Sequence, residues 1–207
     1  MKWLFGIAAG LCFLAAGGAH AQVTEPDVLI KTVSEEVLEI VRKDKDIQSG
    51  NAKKAQDLVE AKVLPHFNFI RMTQLAVGRE WRNANPAQQK ALTEEFRSLL
   101  VRTYSKALTE YRSQTMEYKP LKAAAGAAEV TVRTQIQQPG GKAIQLDYDL
   151  ERQSQGWKVY DIAVAGVSLV TNYRESFANE IRANGIDGLI KTLQAKNKSG
   201  ESASIKK

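Results

Sequence analysis

The fold is decided by one stretch of the chain: residues 129–164 read EVTVRTQIQQPGGKAIQLDYDLERQSQGWKVYDIAV. Apolar and polar residues alternate in three runs, which are separated by the turn sequences Pro139-Gly140-Gly141 and Gln155-Gly156. A period of two is typical of strands that bury one face, and short turns join antiparallel neighbours. The stretch therefore predicts an antiparallel meander with one apolar face, and residues 115–119 predict an earlier strand beside it.

Residues at helical spacing lie on both sides of this predicted sheet. Before it, helices are expected to end near Lys45, Pro65 and Gly78. A long fourth helix begins at Asn85-Pro86, a cap residue followed by proline at the first helical position. After the strands, one amphipathic helix ends near Asn184-Gly185 and a last helix follows. The order predicts an α+β fold with a sheet of about four strands, one face of which is covered by helices.

The first 21 residues, MKWLFGIAAGLCFLAAGGAHA, have the layout of a secretory signal peptide. Lys2 precedes an apolar stretch that is shorter than a membrane anchor, and Ala19-His20-Ala21 has the small residues of a cleavage site. We therefore expect cleavage after Ala21. Residues 22–197 are then expected to form a single domain, and residues 198–207 a flexible tail.

The mature chain carries little reactive chemistry. Cys12, the one cysteine, leaves with the signal peptide, so neither a thiolate nucleophile nor a thiolate metal site is available. Of the two histidines, His66 remains, which excludes a two-histidine metal site. The formal charge of +6 comes from basic residues that are not clustered, so nucleic acid is not an expected partner. Neither a metal nor a cofactor is expected.

Several motifs in a fixed order carry a resemblance to a known family. They are Asp161-Ile162, GVSLV at 166–170, NYR at 172–174, Phe177 and GIDGL at 185–189, together with LPHF at 64–67, PAQQ at 86–89, Phe96 and WKVYD at 157–161. The set resembles the MlaC family of periplasmic phospholipid carriers, also called the toluene-tolerance family, over nearly the whole mature chain. Ala165 departs from the family pattern, in which an acidic residue precedes the glycine.

The resemblance implies a cone similar to nuclear transport factor, with an internal lipid cavity that holds a glycerophospholipid as cargo. It also implies a periplasmic location and two protein partners, an outer-membrane lipoprotein–porin complex and an inner-membrane MCE-type lipid permease. The implied function is to move phospholipid between the outer and inner membranes and so maintain outer-membrane lipid asymmetry.

The predicted lipid contacts are apolar residues on the sheet face and on the helices expected to face it. They are Leu100, Tyr104, Leu108, Val130, Val132, Ile136, Leu146, Tyr148, Leu150, Ile162, Val164, Val167, Val170 and Phe177. Tyr104, Tyr148 and Arg174 are further predicted to reach the glycerol or phosphate of the head group at the mouth of the cavity.

Two other functions stay open at this point. A pocket carboxylate such as Asp161, acting as a general base, would make the chain a small-molecule enzyme on the same architecture. A solid core without a deep cavity would instead fit an interaction adaptor. The composition favours the carrier, because holding a lipid requires apolar surface rather than reactive groups.

Overall fold

The computed structural model describes residues 24–199, which form an α+β fold with one five-stranded antiparallel sheet. The strands are β1 (Thr115–Tyr118), β2 (Glu129–Gln137), β3 (Ile144–Gln153), β4 (Gly156–Val164) and β5 (Val167–Ser168), and each pairs with the next. The helices are α1 (Pro26–Lys43), α2 (Lys45–Gln48), α3 (Ala52–Lys62), α4 (Phe69–Val77), α5 (Pro86–Thr109) and α6 (Arg174–Ser199). The predicted fold class is confirmed, and the strand number is five rather than about four.

Two of the predicted segments, the signal peptide and the C-terminal tail, extend beyond the described residues. The predicted signal peptide, residues 1–21, lies outside them. Helix α6 runs to Ser199, so the predicted tail, 198–207, begins within this helix and continues beyond the described residues.

The helix ends follow local chemistry. At the start of α5, the Asn85 side chain accepts from the Gln88 amide while the Gln88 side chain accepts from the Asn85 amide, which is a capping box. Helix α1 ends at Lys43, two residues before the predicted end, because Asp44 is extended. The Asp44 carboxylate caps the short helix α2 by accepting from the amides of Asp46 at 3.0 Å and Ile47 at 3.1 Å.

Gly185 interrupts α6, as the sequence predicts. Its φ of 72° and ψ of −179° belong to a region open essentially to glycine alone. The Glu180 carboxylate accepts from Asn184 in its own half at 2.8 Å, and it connects the two halves by accepting from Thr192 at 3.1 Å. A Cβ at Gly188 would lie 2.3 Å from the Asn184 Cβ, so this close approach requires glycine.

The strand register separates an inner apolar face from an outer polar one. Val132 lies opposite Tyr148, and Tyr148 lies opposite Ile162, so these side chains share the inner face. An irregularity in the β3–β4 pairing leaves Tyr160 without a partner residue, and Asp161 then pairs with Asp149. The bulge therefore moves Asp161 to the outer face while Ile162 stays on the inner one.

The buried residues form three separate clusters. The helical core joins α4, α5, α6 and the turn before α6: Met72, Ala76, Val77, Trp81, Leu92, Phe96, Leu99, Leu100, Val170, Tyr173, Phe177, Leu189 and Leu193. The sheet core consists of Ile30, Val132, Leu150, Trp157 and Val159. The N-terminal core consists of Val37, Val41, Ile47, Ala55 and Tyr111. Phe67 packs against both the helical core and the sheet core.

The β4–β5 hairpin adds a short strand after the last strand that the sequence predicts. Ala165 and Gly166 have φ values of 50° and 83°, and they form the tight turn that leads into β5. Two positive φ values in succession match a two-residue hairpin turn with the twist of its strands. A two-residue strand is too short to show periodicity, which is why the sequence pattern missed it.

Ala165→Asn is expected to stabilise the protein. Ala165 has a left-handed backbone, which costs an ordinary L-residue roughly 1–2 kcal/mol and which asparagine tolerates better. We expect the free energy of unfolding to rise by about 1 kcal/mol and the melting temperature by about 2–4 °C.

The control for this variant is Ala123→Asn, which changes an exposed alanine whose φ is negative. Its effect should stay within about 0.5 kcal/mol in thermal and urea unfolding. Equal effects of the two variants would contradict the assignment of strain to Ala165.

Candidate functional site

The inner face of the sheet is covered unevenly by helices. Helix α1 packs on β2, and α4 contacts β4 while its Arg71 reaches the outer face of the sheet. Helix α5 makes its main contacts with α3, α4 and α6. Helix α5, the longest uninterrupted helix among the described residues, therefore packs mainly against other helices and not on the sheet. The sheet core occupies the part of the inner face next to Ile30 of α1.

The inner face continues beyond the sheet core as apolar side chains that are only half-buried. They are Met116 and Tyr118 of β1, Ile136 of β2, Ile144, Leu146 and Tyr148 of β3, and Ile162 and Val164 of β4. Tyr148 is the clearest case, because burial raises its pKa to about 12 although its side chain keeps accessible surface.

The structure divides the predicted lipid contacts into three groups. Five of them, Leu100, Val132, Leu150, Val170 and Phe177, are core residues with at most 6% exposure. Eight are half-buried: Tyr104, Leu108, Val130, Ile136, Leu146, Tyr148, Ile162 and Val164. Val167 is 43% exposed in the β4–β5 hairpin.

The half-buried group borders all three clusters. Tyr104 packs against the helical core, Leu108 against the N-terminal core, and Val130, Tyr148 and Ile162 against the sheet core. Each of the three clusters is therefore bordered by at least one of the half-buried residues.

Arg174, the predicted head-group contact, lies exposed at the start of α6. Its guanidinium donates two hydrogen bonds to the Leu75 carbonyl, at 3.0 and 3.1 Å. These bonds satisfy a carbonyl near the end of α4, where the helix itself offers no partner. The arginine therefore ties α4 to α6 in this structure.

Hydroxyl groups interrupt the apolar inner face, and of these only the Tyr148 phenol was predicted as a contact from the sequence. Thr134 of β2 lies opposite Tyr118 of β1, and the Ser34 hydroxyl on the inner side of α1 lies beside the phenols of Tyr118 and Tyr148. Burial raises the pKa of Tyr118 to about 12 as well. The signal available in the sequence was a polar residue at an inward position of the alternation, as at Thr134.

The carboxylate of Asp161, the candidate general base, accepts three hydrogen bonds from residues of β4, of β5 and of the segment after β5. Its carboxylate accepts from the Ser168 hydroxyl, from the Ile162 amide at 2.8 Å and from the Val170 amide at 3.2 Å. Burial raises its pKa, and these hydrogen bonds oppose that shift. Because the side chain also belongs to the outer face, this geometry favours a structural role over catalysis.

A charged network fixes α4 to the outer face of the sheet. The Arg71 guanidinium donates to Glu151 and, at 2.8 Å, to Glu129, and it stacks 3.6 Å from the centre of the Tyr160 ring. Asn68, the cap residue of α4, donates to Glu151 as well. Burial raises the pKa of Glu151, but the hydrogen bonds from Asn68 and Arg71 outweigh it and hold the pKa below its ordinary value.

The described residues form two open hollows at the protein surface. One of about 400 Å³ is lined by Lys122, Ala123, Ala124, Ala127, Glu129, Val130, Thr131, Arg133 and Tyr160, and another of about 320 Å³ lies beside Ile70 and Trp81. Of the predicted lipid contacts, Val130 borders the first hollow.

Residues 24–199 contain neither a cluster of metal-binding side chains nor a helix that could cross a membrane. No three His, Cys, Asp or Glu side chains there are arranged to hold a metal ion. No helix in the same range has the length and apolar character needed to span a bilayer.

Comparison with known proteins identifies relatives over most of the chain. A sequence model described as MlaC protein matches residues 31–195. The intermembrane phospholipid transport system binding protein MlaC of Haemophilus influenzae is 28% identical over 191 residues, which are 88% of this chain and 86% of that protein. Toluene tolerance protein ttg2D of Pseudomonas putida is 32% identical over 112 residues, which are 54% of this chain and 51% of that protein.

A solved structure is similar as well. It is that of a phospholipid-binding protein from Ralstonia solanacearum, determined in complex with a phospholipid. The two chains are 39% identical and superpose with a TM-score of 0.80, covering 86% of this chain and 99% of that one.

Glu151→Gln is expected to destabilise the protein by about 1–3 kcal/mol, because a charge-assisted pair with Arg71 would be lost. A folded-state pKa below the ordinary 4.5 means that Glu151 stabilises the fold above that pH. The difference between wild type and variant should therefore be full at neutral pH and shrink as the pH falls through the lowered pKa.

Urea unfolding at several pH values would measure this difference. The matched control is Glu94→Gln, which removes an exposed pair with Lys90 and should cost less than about 1 kcal/mol. A Glu151→Gln difference that grows as the solution is acidified would contradict the assignment.

Proposed function

Since the chain belongs to the MlaC family, we propose that it is a periplasmic phospholipid carrier that holds the acyl chains of one glycerophospholipid between the sheet and the helices. The observation that carries the proposal is the half-buried apolar part of the inner sheet face, from Ile136 and Leu146 to Ile162 and Val164. The phospholipid bound by the Ralstonia solanacearum protein supports the same cargo for this chain.

The physical requirement for such a carrier is dry apolar surface. A phospholipid in water exposes roughly 30 methylenes at about 0.8 kcal/mol each, so unaided transfer between membranes faces a barrier of order 20 kcal/mol. A slot formed where the three clusters face one another would cover these methylenes while the head group stays in water. The candidate walls are Tyr104 and Leu108 of α5 on one side, and Leu146, Tyr148 and Ile162 of the sheet on the other.

The head group is proposed to lie at the mouth of this slot. Arg174 and the phenols of Tyr104 and Tyr148 remain the candidates for contact with the phosphate or glycerol. Arg174 already donates to Leu75, so a phosphate there would share an arginine that also holds α4.

The proposed setting is the periplasm, reached through the predicted signal peptide. There the protein would exchange lipid with an outer-membrane lipoprotein–porin complex and an inner-membrane MCE-type permease, and so maintain the lipid asymmetry of the outer membrane. The relative from Haemophilus influenzae, named as part of an intermembrane phospholipid transport system, supports this setting.

Native purification followed by organic extraction and mass spectrometry tests the cargo. We expect close to one phospholipid per protein, because an empty apolar slot of this kind is costly at about 24 cal/mol per Å³. A natively purified sample without stoichiometric phospholipid would overturn the carrier.

A pair of variants on β3 tests the position of the slot. Leu146→Asp places a carboxylate on the half-buried inner face, where it should greatly reduce the recovered lipid because a charge next to acyl chains is costly to desolvate. Gln145→Asp places the same group at the neighbouring exposed position and should leave the lipid content unchanged. Circular dichroism would establish that both variants fold, and equal lipid contents in the two would place the slot elsewhere.

A further inference from the structure

Three buried hydroxyl groups lie together between α5 and the start of α6 without hydrogen-bond partners. They are the Thr103 Oγ1, the Tyr104 Oη and the Tyr173 Oη, and none of them makes a hydrogen bond of ordinary geometry to a described residue. The Tyr173 phenol lies close enough to the other two hydroxyls to interact with them, but two such contacts leave at least one of the three O–H groups without an acceptor. Leaving a buried hydroxyl unpaired is unfavourable, and the large majority of such groups in proteins are paired. Three together in one place therefore call for a ligand that brings acceptors.

The packing fixes these groups beside one another. The Tyr173 ring packs edge-to-face on Phe96, with 5.1 Å between ring centres, and Phe96 lies two helical turns before Thr103 on the same face of α5. Burial raises the pKa of Tyr173, and the neighbouring Tyr104 phenol raises it further. The two phenols are thus side by side in apolar surroundings.

The surroundings of the hydroxyls are the predicted lipid contacts. Leu100 lies one turn before Tyr104 in α5, and Val170 and Phe177 flank Tyr173 along the chain. The Phe177 ring lies 5.5 Å from the Tyr173 ring. These three contacts are buried core residues, whereas Tyr104 is half-buried and borders the proposed slot, so a lipid there would approach the hydroxyls from the side of Tyr104.

The chemistry of the donors selects the part of the lipid that they can bind. All three are neutral, and Arg102, whose charge lies near Tyr173, already donates to the carbonyls of Lys196 and Asn197. A phosphate would carry its charge into this buried place at a high desolvation cost, whereas an ester carbonyl is a neutral acceptor. In a diacyl phospholipid the ester carbonyls stand at the point where the acyl chains begin.

From this arrangement we infer that Thr103, Tyr104 and Tyr173 bind the ester carbonyls of the cargo, so that the protein selects ester-linked over ether-linked phospholipid. This inference rests on the proposed function, since it concerns the lipid in the same slot. It assigns a specificity to that slot, which would otherwise accept any lipid with suitable chains.

Competition between two matched lipids tests the selection. The delipidated chain is offered an equal mixture of a diester and a diether phosphatidylethanolamine with the same chain length, and the bound lipid is measured by mass spectrometry. The wild type should bind the diester about fivefold or more in excess, the effect of one neutral hydrogen bond or more. The double variant Tyr104→Phe/Tyr173→Phe should bind the two lipids equally.

The control is Tyr160→Phe, which removes a phenolic hydroxyl that donates to Glu129 on the outer face. This variant should keep the preference for the diester. The single variant Tyr173→Phe gives a second measurement, because removing an unpaired buried hydroxyl should leave the delipidated protein at least as stable as the wild type.

The outcomes separate the two proposals. Equal binding of both lipids by the wild type would overturn the selection and leave the carrier standing, as expected if water alone satisfied the hydroxyls. A preference that survives in the double variant would overturn the assignment to these tyrosines. If the wild type bound neither lipid, the proposed function itself would fail.

Discussion

The structure depends on how the helices meet the apolar inner face of the sheet, because part of that face is buried in the sheet core and part is only half-buried. Helices α1 and α4 contact the sheet, while the long helix α5 packs mainly with other helices. In most α+β domains the same apolar face would be filled by a single continuous core. Here the buried residues form three clusters, and half-buried apolar side chains lie at their borders.

Three separate clusters of buried residues need a common frame that holds them together. The outer face of the sheet supplies much of it. Arg71, Glu151 and Glu129 tie α4 to β2 and β3, and Asp161 ties β4 to the chain that leads into α6. Charges placed on this outer face support the fold without putting polar groups against the apolar surface inside.

The sequence predicted those parts of the fold that local patterns determine. The alternation at 129–136 and 144–150 gave the strands and their inner face, and Asn85-Pro86 gave the start of α5. Strand β5 was not predicted, because two residues are too few to show an alternation of apolar and polar side chains. The bulge at Tyr160 was not predicted either, because it depends on the pairing with β3 and not on the residue itself.

The candidate site could be predicted only in part, for a similar reason. Apolar residues at inward positions predict a face, but periodicity does not tell a core residue such as Leu150 from a half-buried one such as Leu146. That distinction depends on which helix packs opposite, and for the same reason the sequence pointed to Asp161 without showing its three donors.

Charged side chains and neutral hydroxyl groups occupy different parts of the fold. The ion pairs of Arg71 with Glu129 and Glu151 lie on the outer face of the sheet. The groups of Ser34, Tyr118, Thr134, Tyr104 and Tyr173 are neutral hydroxyls in the interior. Neutral hydroxyls can bind a neutral oxygen acceptor without holding a charge in an apolar place, which would be costly. Apolar surface with a few neutral hydroxyls is therefore consistent with the lipid cargo proposed above.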